Sequence, residues 1–239
     1  MTLRALLVLL VTLAFGAAPL ITPPFTGYDP AAFPVVIDRP AVQPAGYAFS
    51  IWSVIYLWLL AHAGYGFWSR AKSLDWDATR LPLAFSLFVG TGWLSLAAVF
   101  PILATLMILL MLIGALAAFL LADEYYDRWL LSGPLAIYAG WLSAATAVST
   151  GVIASGYGLL TDTQSALAMI AFTLALSGAV QALRPEMPVY GLTVIWALIG
   201  IIVANMASNL TVTLAAAGAA TAMGALLLWQ WRSRARRAL

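Results

Sequence analysis

Cysteine is absent from the 239-residue chain, and histidine occurs once, at His62. Without thiols there is no disulfide, no thiolate nucleophile and no Cys-ligated metal, and cysteine usage says nothing about compartment. Charge is almost as scarce. Only 8% of the residues are Asp, Glu, Lys or Arg, where a soluble domain needs roughly a quarter to keep its surface wet. Hydrophobic residues make up 64% of the chain and the mean hydropathy is +0.98. The composition is that of an all-α integral membrane protein with several spans, whose first partner is the lipid bilayer. No metal-ligand spacing occurs, and no Gly-rich phosphate loop precedes a helix. A Ser/His/Asp hydrolase would have to use His62 with Asp75 or Asp77, about four helical turns further on, so conventional hydrolysis is set aside.

The apolar runs divide the chain into about eight spans. Met1 to about Leu20 carries Arg4 and then a run of about 17 apolar residues, near the minimum for a crossing. It reads either as a cleavable signal peptide, with the small residues Gly16-Ala17-Ala18 at the cut, or as a retained first helix. The second reading is preferred because the apolar character continues through Ile21. Thr22 to Gln43 is the longest polar connector, broken by Pro23, Pro24, Pro30, Pro34 and Pro40. Further spans are expected at about 46–68, 80–99, 101–122, 131–154, 164–183, 188–205 and 210–231, with Asp75, Asp77 and Arg80 in a charged turn around Trp76. Two small-residue stripes at four-residue spacing, Ala136/Gly140/Ala144 and Ala216/Ala220/Gly224, invite close helix packing. No internal repeat relates the two halves.

The net charge of +2 does not point to nucleic acid, because the placement of the basic residues describes topology instead. With eight spans and an inner N-terminus, ten of the eleven Lys and Arg residues fall in inner segments and only Arg39 lies outside. Inner loops retain positive charge during insertion. The expected location is a bacterial inner membrane, with a basic cytoplasmic C-terminal tail and the N-terminus cytoplasmic if the first helix is kept.

The spans hold almost no ionisable side chain. His62 reads most simply as hydrogen-bonded to a neighbouring helix; a ligand contact is the other reading. Gln164 and Gln181 read as interfacial, and Asn205 and Asn209 as caps. Trp68, Trp76, Trp129, Trp229 and Trp231 fall near the inner interface, where indoles anchor helices. What remains is aromatic surface within the bilayer. Phe49, Trp52 and Tyr56 follow at i, i+3 and i+7, along one helical stripe. Trp52 and Trp93 are each about 9 Å from the outer ends of their spans, and Trp141 lies deeper. From spacing alone these rings are either a binding surface or ordinary packing.

The segment from Pro44 to Tyr56, PAGYAFSIWSVIY, resembles the Pro-x-Gly-x-x-Phe-x-x-x-Trp-x-x-x-Tyr signature that opens the second helix of the TspO/MBR family, the tryptophan-rich sensory and translocator proteins. Its Phe-to-Trp spacing is one residue shorter. Trp93 resembles the tryptophan of that family's third helix, and Pro134, Tyr138, Trp141, Ala145 and Thr146 resemble its fifth. The resemblance implies a five-helix bundle over residues 1–154, followed by three further helices over 155–239. It implies a pocket beneath the first loop for a flat hydrophobic ligand, a tetrapyrrole such as a porphyrin or haem, or a sterol-like molecule. Phe49, Trp52, Tyr56, Trp93, Tyr138 and Trp141 are the expected ligand-binding residues. No cofactor is expected to be required, and a homodimer is implied as a possible assembly. Sensing or carrying is the expected role, with light-dependent porphyrin degradation as the weak enzymatic alternative. A small-solute or lipid transporter and a membrane assembly subunit are the readings from other classes. Two departures stand out: Gly90 and Ser149 occupy positions where the family pattern has asparagine.

Overall fold

The computed structural model describes residues 2–22, 25, 27–123 and 125–237, without the side chain of Arg237. Pro23, Pro24 and Glu124 therefore lie outside the described residues. The described residues form eight α-helices: α1 Thr2–Ile21, α2 Ile51–Trp68, α3 Leu74–Ala97, α4 Pro101–Leu121, α5 Ser132–Gly156, α6 Asp162–Leu183, α7 Val189–Asn205 and α8 Leu210–Arg237. Short 3₁₀ turns cover Pro30–Ala32 and Gly46–Ser50, the second leading directly into α2. Seven of these segments are long and apolar enough to cross a membrane, and α7, at 17 residues, is apolar but a little shorter. Each satisfies its own backbone hydrogen bonds, which a bilayer demands. Large apolar side chains such as Leu10, Phe88, Ile113 and Leu214 face outward; in water such a surface would aggregate, and against acyl chains it is at rest.

Helix α5 is the axis of the bundle. It packs on α4 and, more thinly, α2 on one side and on α6 and α7 on the other, while α1 packs on α2 and α3, α3 on α4, and α8 on α6 and α7. Its sequence explains this position. Gly, Ala, Ser and Thr recur on every face of α5, so neighbours approach its backbone all round and nearly the whole helix is buried,. The small-residue stripe meets α7: a Cβ at Gly140 would stand 2.7 Å from the Tyr190 carbonyl oxygen. On α8 the buried stripe is Val212, Ala216, Ala219 and Met223. This is rotated from the expected Ala216/Ala220/Gly224, and a Cβ at Gly224 would meet nothing within 4 Å.

One end of the bundle collects the cations. Arg4 and Arg80 both pair with Asp77 (2.7 and 3.1 Å), Arg70 pairs with Asp127 (2.5 Å) and Arg234 with Glu186 (2.9 Å). Arg128 donates to the Glu186 carbonyl, and Arg184 closes the end of α4 through the Leu120 and Ala122 carbonyls. Unpaired carbonyls at a helix C-terminus carry partial negative charge, so a guanidinium there is stabilised.

Several residues at this end differ from their sequence reading. Helix α3 begins at Leu74, so Asp75, Asp77 and Arg80 lie in its first turns, where acids complement the helix dipole,. Trp76 is 2% exposed and donates to Asp127 (2.9 Å), making it core and not an interfacial anchor. Gln181 is wholly buried; it donates to the Arg184 carbonyl and to Gln230, and accepts from the Gly191 N–H, joining α6, α7 and α8. His62 follows the simpler reading. It is buried, with Nδ1 2.8 Å from the Leu130 carbonyl and its ring stacked 4.8 Å from Trp76.

Candidate functional site

The opposite end of the bundle holds a cavity of about 210 Å³ between α1, α2, α3, α4, α5 and α7, beneath the long first connector. Its position follows from how that connector is fastened. The Ala41 N–H donates to both Asp162 carboxylate oxygens (2.9 and 3.1 Å), and the Asn205 amide donates to the Ala41 carbonyl (2.8 Å). The Asn205 amide thus holds the connector and also donates to the Ile201 carbonyl in the last turn of its own helix (2.9 Å), while Asn209 caps α8 through the Val212 N–H. The Ala45 N–H then bonds the Gly200 carbonyl, and a Cβ at Gly200 would stand 2.8 Å from the Pro44 ring. The second half of the connector is tied to α6 and α7, and Phe25, Gly27 and Tyr28 from its first half line the cavity.

Five of the six expected residues line the cavity: Phe49, Trp52, Tyr56, Trp93 and Trp141. Trp52 and Tyr56 stack with centroids 5.4 Å apart, and Trp141 meets both Trp52 (6.2 Å) and Phe49 (5.9 Å) edge to face. Trp93 turns its N–H to the Ala104 carbonyl (2.9 Å), and Phe25 packs edge-on against its ring (4.9 Å). Tyr138 does not line the cavity. It is fully buried below, with its hydroxyl 2.9 Å from that of Ser86 and its ring against Phe15 and Trp52, so it supports the wall from behind.

The Phe49-to-Trp52 step crosses a change of winding: Phe49 lies in the 3₁₀ turn Gly46–Ser50 and Trp52 in the first turn of α2.

The two departures from the family pattern also fit together. A Cβ at Gly90 would stand 2.6 Å from Phe15 Cε2 and 2.8 Å from Met111 Cε, so the space of a larger residue is filled by these two side chains. Ser149 receives the connector: its hydroxyl is 2.6 Å from that of Tyr28 and 2.7 Å from that of Thr105, which donates to the Pro101 carbonyl. Burial pushes the Tyr28 hydroxyl above the usual phenol range, so it stays protonated and able to donate,.

Phe15, Phe25, Tyr28, Met111, Ala197 and Ile201 also line the cavity and were not singled out from the sequence. The aromatic pair in a polar, Pro-rich connector is a signal that can be read for Phe25 and Tyr28. Phe15 is the one aromatic residue of its span. Nothing in the sequence distinguishes Ala197 or Ile201 from lipid-facing residues of α7. Among the described lining residues none is charged, and none forms a nucleophile and base pair.

Neither a curated protein nor a solved structure matches the chain. A family model described as TSPO-like protein matches residues 5–229, from the first turn of α1 into α8, and so reaches beyond the five spans that carry the motif resemblance. A membrane-spanning helical bundle matched over nearly its whole length in this way belongs to the TSPO-like family.

Proposed function

We propose that this protein binds a flat hydrophobic small molecule within the membrane, of the tetrapyrrole or sterol-like class, and works as a sensor or carrier instead of an enzyme. The observation that carries the reading is the aromatic cavity under the connector, with Trp52, Tyr56, Phe49 and Trp141 on one wall and Trp93 with Phe25 on the other. Flat rings offer a planar ligand large contact area with little rotamer entropy to lose. Below the cavity the core is closed by Leu135, Tyr138 and Leu142, all fully buried, which supports binding over passage through the bundle. The gathering of cations at the far end supports reading that end as cytoplasmic and the cavity as opening toward the extracytoplasmic face,.

The test is a titration of the detergent-purified protein with protoporphyrin IX, following tryptophan quenching and the Soret band, beside the Trp52→Phe, Trp141→Phe double variant. Saturable binding that the double variant weakens at least tenfold, a loss of about 1.4 kcal/mol, is the expected result. Equal binding by both proteins would remove the cavity as the site.

A further inference from the structure

The wall of the cavity contains a donor with nothing to bond. Trp58, Trp76, Trp93 and Trp196 all donate their indole N–H, to the Trp129 carbonyl (2.7 Å), Asp127 (2.9 Å), the Ala104 carbonyl (2.9 Å) and the Ala48 carbonyl (3.0 Å). Trp141 differs from these four. It is 3% exposed, it lines the cavity, and its Nε1 has no hydrogen-bond partner among the described residues. Leaving a buried donor unsatisfied incurs its full desolvation cost, so such a group in a native interior requires an explanation. Satisfaction by a bound molecule is one, and the cavity beside it supplies the space.

Other polar groups bear on the chemistry. The hydroxyls of Tyr28 and Ser149, with Thr105 beside them, form a chain that ends on the Pro101 carbonyl, so their donors are taken up internally. The Gln43 amide and the Tyr56 hydroxyl are further polar, uncharged groups of the aromatic wall and its cover. No charged side chain lines the cavity among the described residues. A carboxylate or ammonium entering it would lose its water with no opposite charge to replace it. Size sets the third limit: about 210 Å³ exceeds the roughly 150 Å³ apolar cavity that takes benzene. It lies below the roughly 300 Å³ where pockets for drug-sized ligands begin.

We infer that the cavity takes an uncharged, flat molecule of about two fused rings bearing a carbonyl-type oxygen, and that this oxygen accepts from Nε1 of Trp141. The inference rests on the binding reading above and specifies its ligand. A tetrapyrrole fits it only with its carboxylates left outside and with the Phe25 and Tyr28 side chains moved aside.

Three probes that share one ring system separate the possibilities: 2-acetylnaphthalene, 2-methylnaphthalene and 2-naphthoate at neutral pH. Each is titrated into the full-length protein and into Trp141→Phe, and the ratio of ketone to hydrocarbon affinity is taken for each protein so that partition into detergent cancels. That ratio is expected to be about tenfold higher in the unaltered protein, the worth of one satisfied buried donor, and 2-naphthoate is expected not to bind. In the unaltered protein, the ¹⁵N-indole signal of Trp141 is expected to shift on saturation with the ketone, a readout that does not depend on the variant folding. Equal ratios in the two proteins, an indole signal that stays in place, or naphthoate binding as tight as the ketone would each overturn the inference while leaving the cavity a binding site. If none of the three probes binds while protoporphyrin IX does, the inference falls and the binding reading stands; if protoporphyrin IX fails to bind as well, both fall.

Discussion

Phe15 of α1 occupies the volume that a side chain at position 90 of α3 would need: the nearest ring carbon lies 2.6 Å from where a Gly90 Cβ would be. The pair shapes the cavity, since Phe15 also contacts Trp52, Tyr56 and Tyr138 with centroids 5.1 to 6.0 Å away. Gly90→Asn, which restores the residue of the family pattern, is expected to destabilise the bundle by about 1–3 kcal/mol through overpacking. Phe15→Ala added to it should recover part of that loss by vacating the space. Thermal unfolding of the three proteins in one detergent checks this, and a Gly90→Asn protein as stable as the parent would show that Phe15 moves aside at no cost.

Tyr28 and Phe25 are held over the cavity by a short hydrogen bond between the Tyr28 and Ser149 hydroxyls at 2.6 Å, with a longer contact to Thr105 (3.4 Å), and by the packing of Phe25 on Trp93. A net hydrogen bond is worth about 0.5–1.5 kcal/mol, up to about tenfold in a rate. Tyr28→Phe keeps the ring and removes the bond. Ligand association and dissociation should both speed up, with the Kd moving less than either rate, as measured by stopped-flow tryptophan quenching. Unchanged rates would show that the hydroxyl does not hold the connector closed.

At the other end Asp127 ties the connector between α4 and α5 to α2 and α3. It accepts from Arg70 (2.5 and 3.1 Å), Trp76 (2.9 Å) and Tyr65 (3.4 Å). The Arg70 hydrogen bond, helped by Trp76, holds its carboxyl below the usual range. A folded-state value below the unfolded value of about 3.9 means that this stabilisation is present above that pH. It is lost as the pH falls through the folded value. Asp127 also sits at φ 51°, a left-handed conformation that Asn tolerates as well,. Asp127→Asn therefore removes the charge without straining the turn. It should lower the melting temperature at pH 7 and flatten the parent's loss of stability below about pH 4. The same acid sensitivity in both proteins would place its cause elsewhere.

The helices were legible because a membrane span leaves a long apolar run, and because Pro101 and the Pro185 to Pro188 connector punctuate those runs,. Trp52, Tyr56 and Trp141 were legible because rings at helical spacing inside a span require either partners or a ligand. Trp76 and Gln181 were misread for one shared reason. Position near a span end says interface, but the hydrogen bond from Trp76 to Asp127 and the contact between Gln181 and Gln230 turn these ends into packed interior.

The sequence by itself determined an all-helical membrane protein, the order and approximate limits of its spans, the clustering of positive charge at one end and most of the aromatic wall. These follow from composition and from periods of a few residues, which local chemistry writes directly. Only the tertiary structure decided that α7 completes the cavity, that Asp162 and Asn205 anchor its cover, that Phe15 fills the place of a side chain at position 90, and that the N–H of Trp141 alone among the buried indoles lacks a partner. Those are relations between residues far apart in the chain. They depend on how helices rotate and approach one another, and no local pattern in the sequence encodes that rotation.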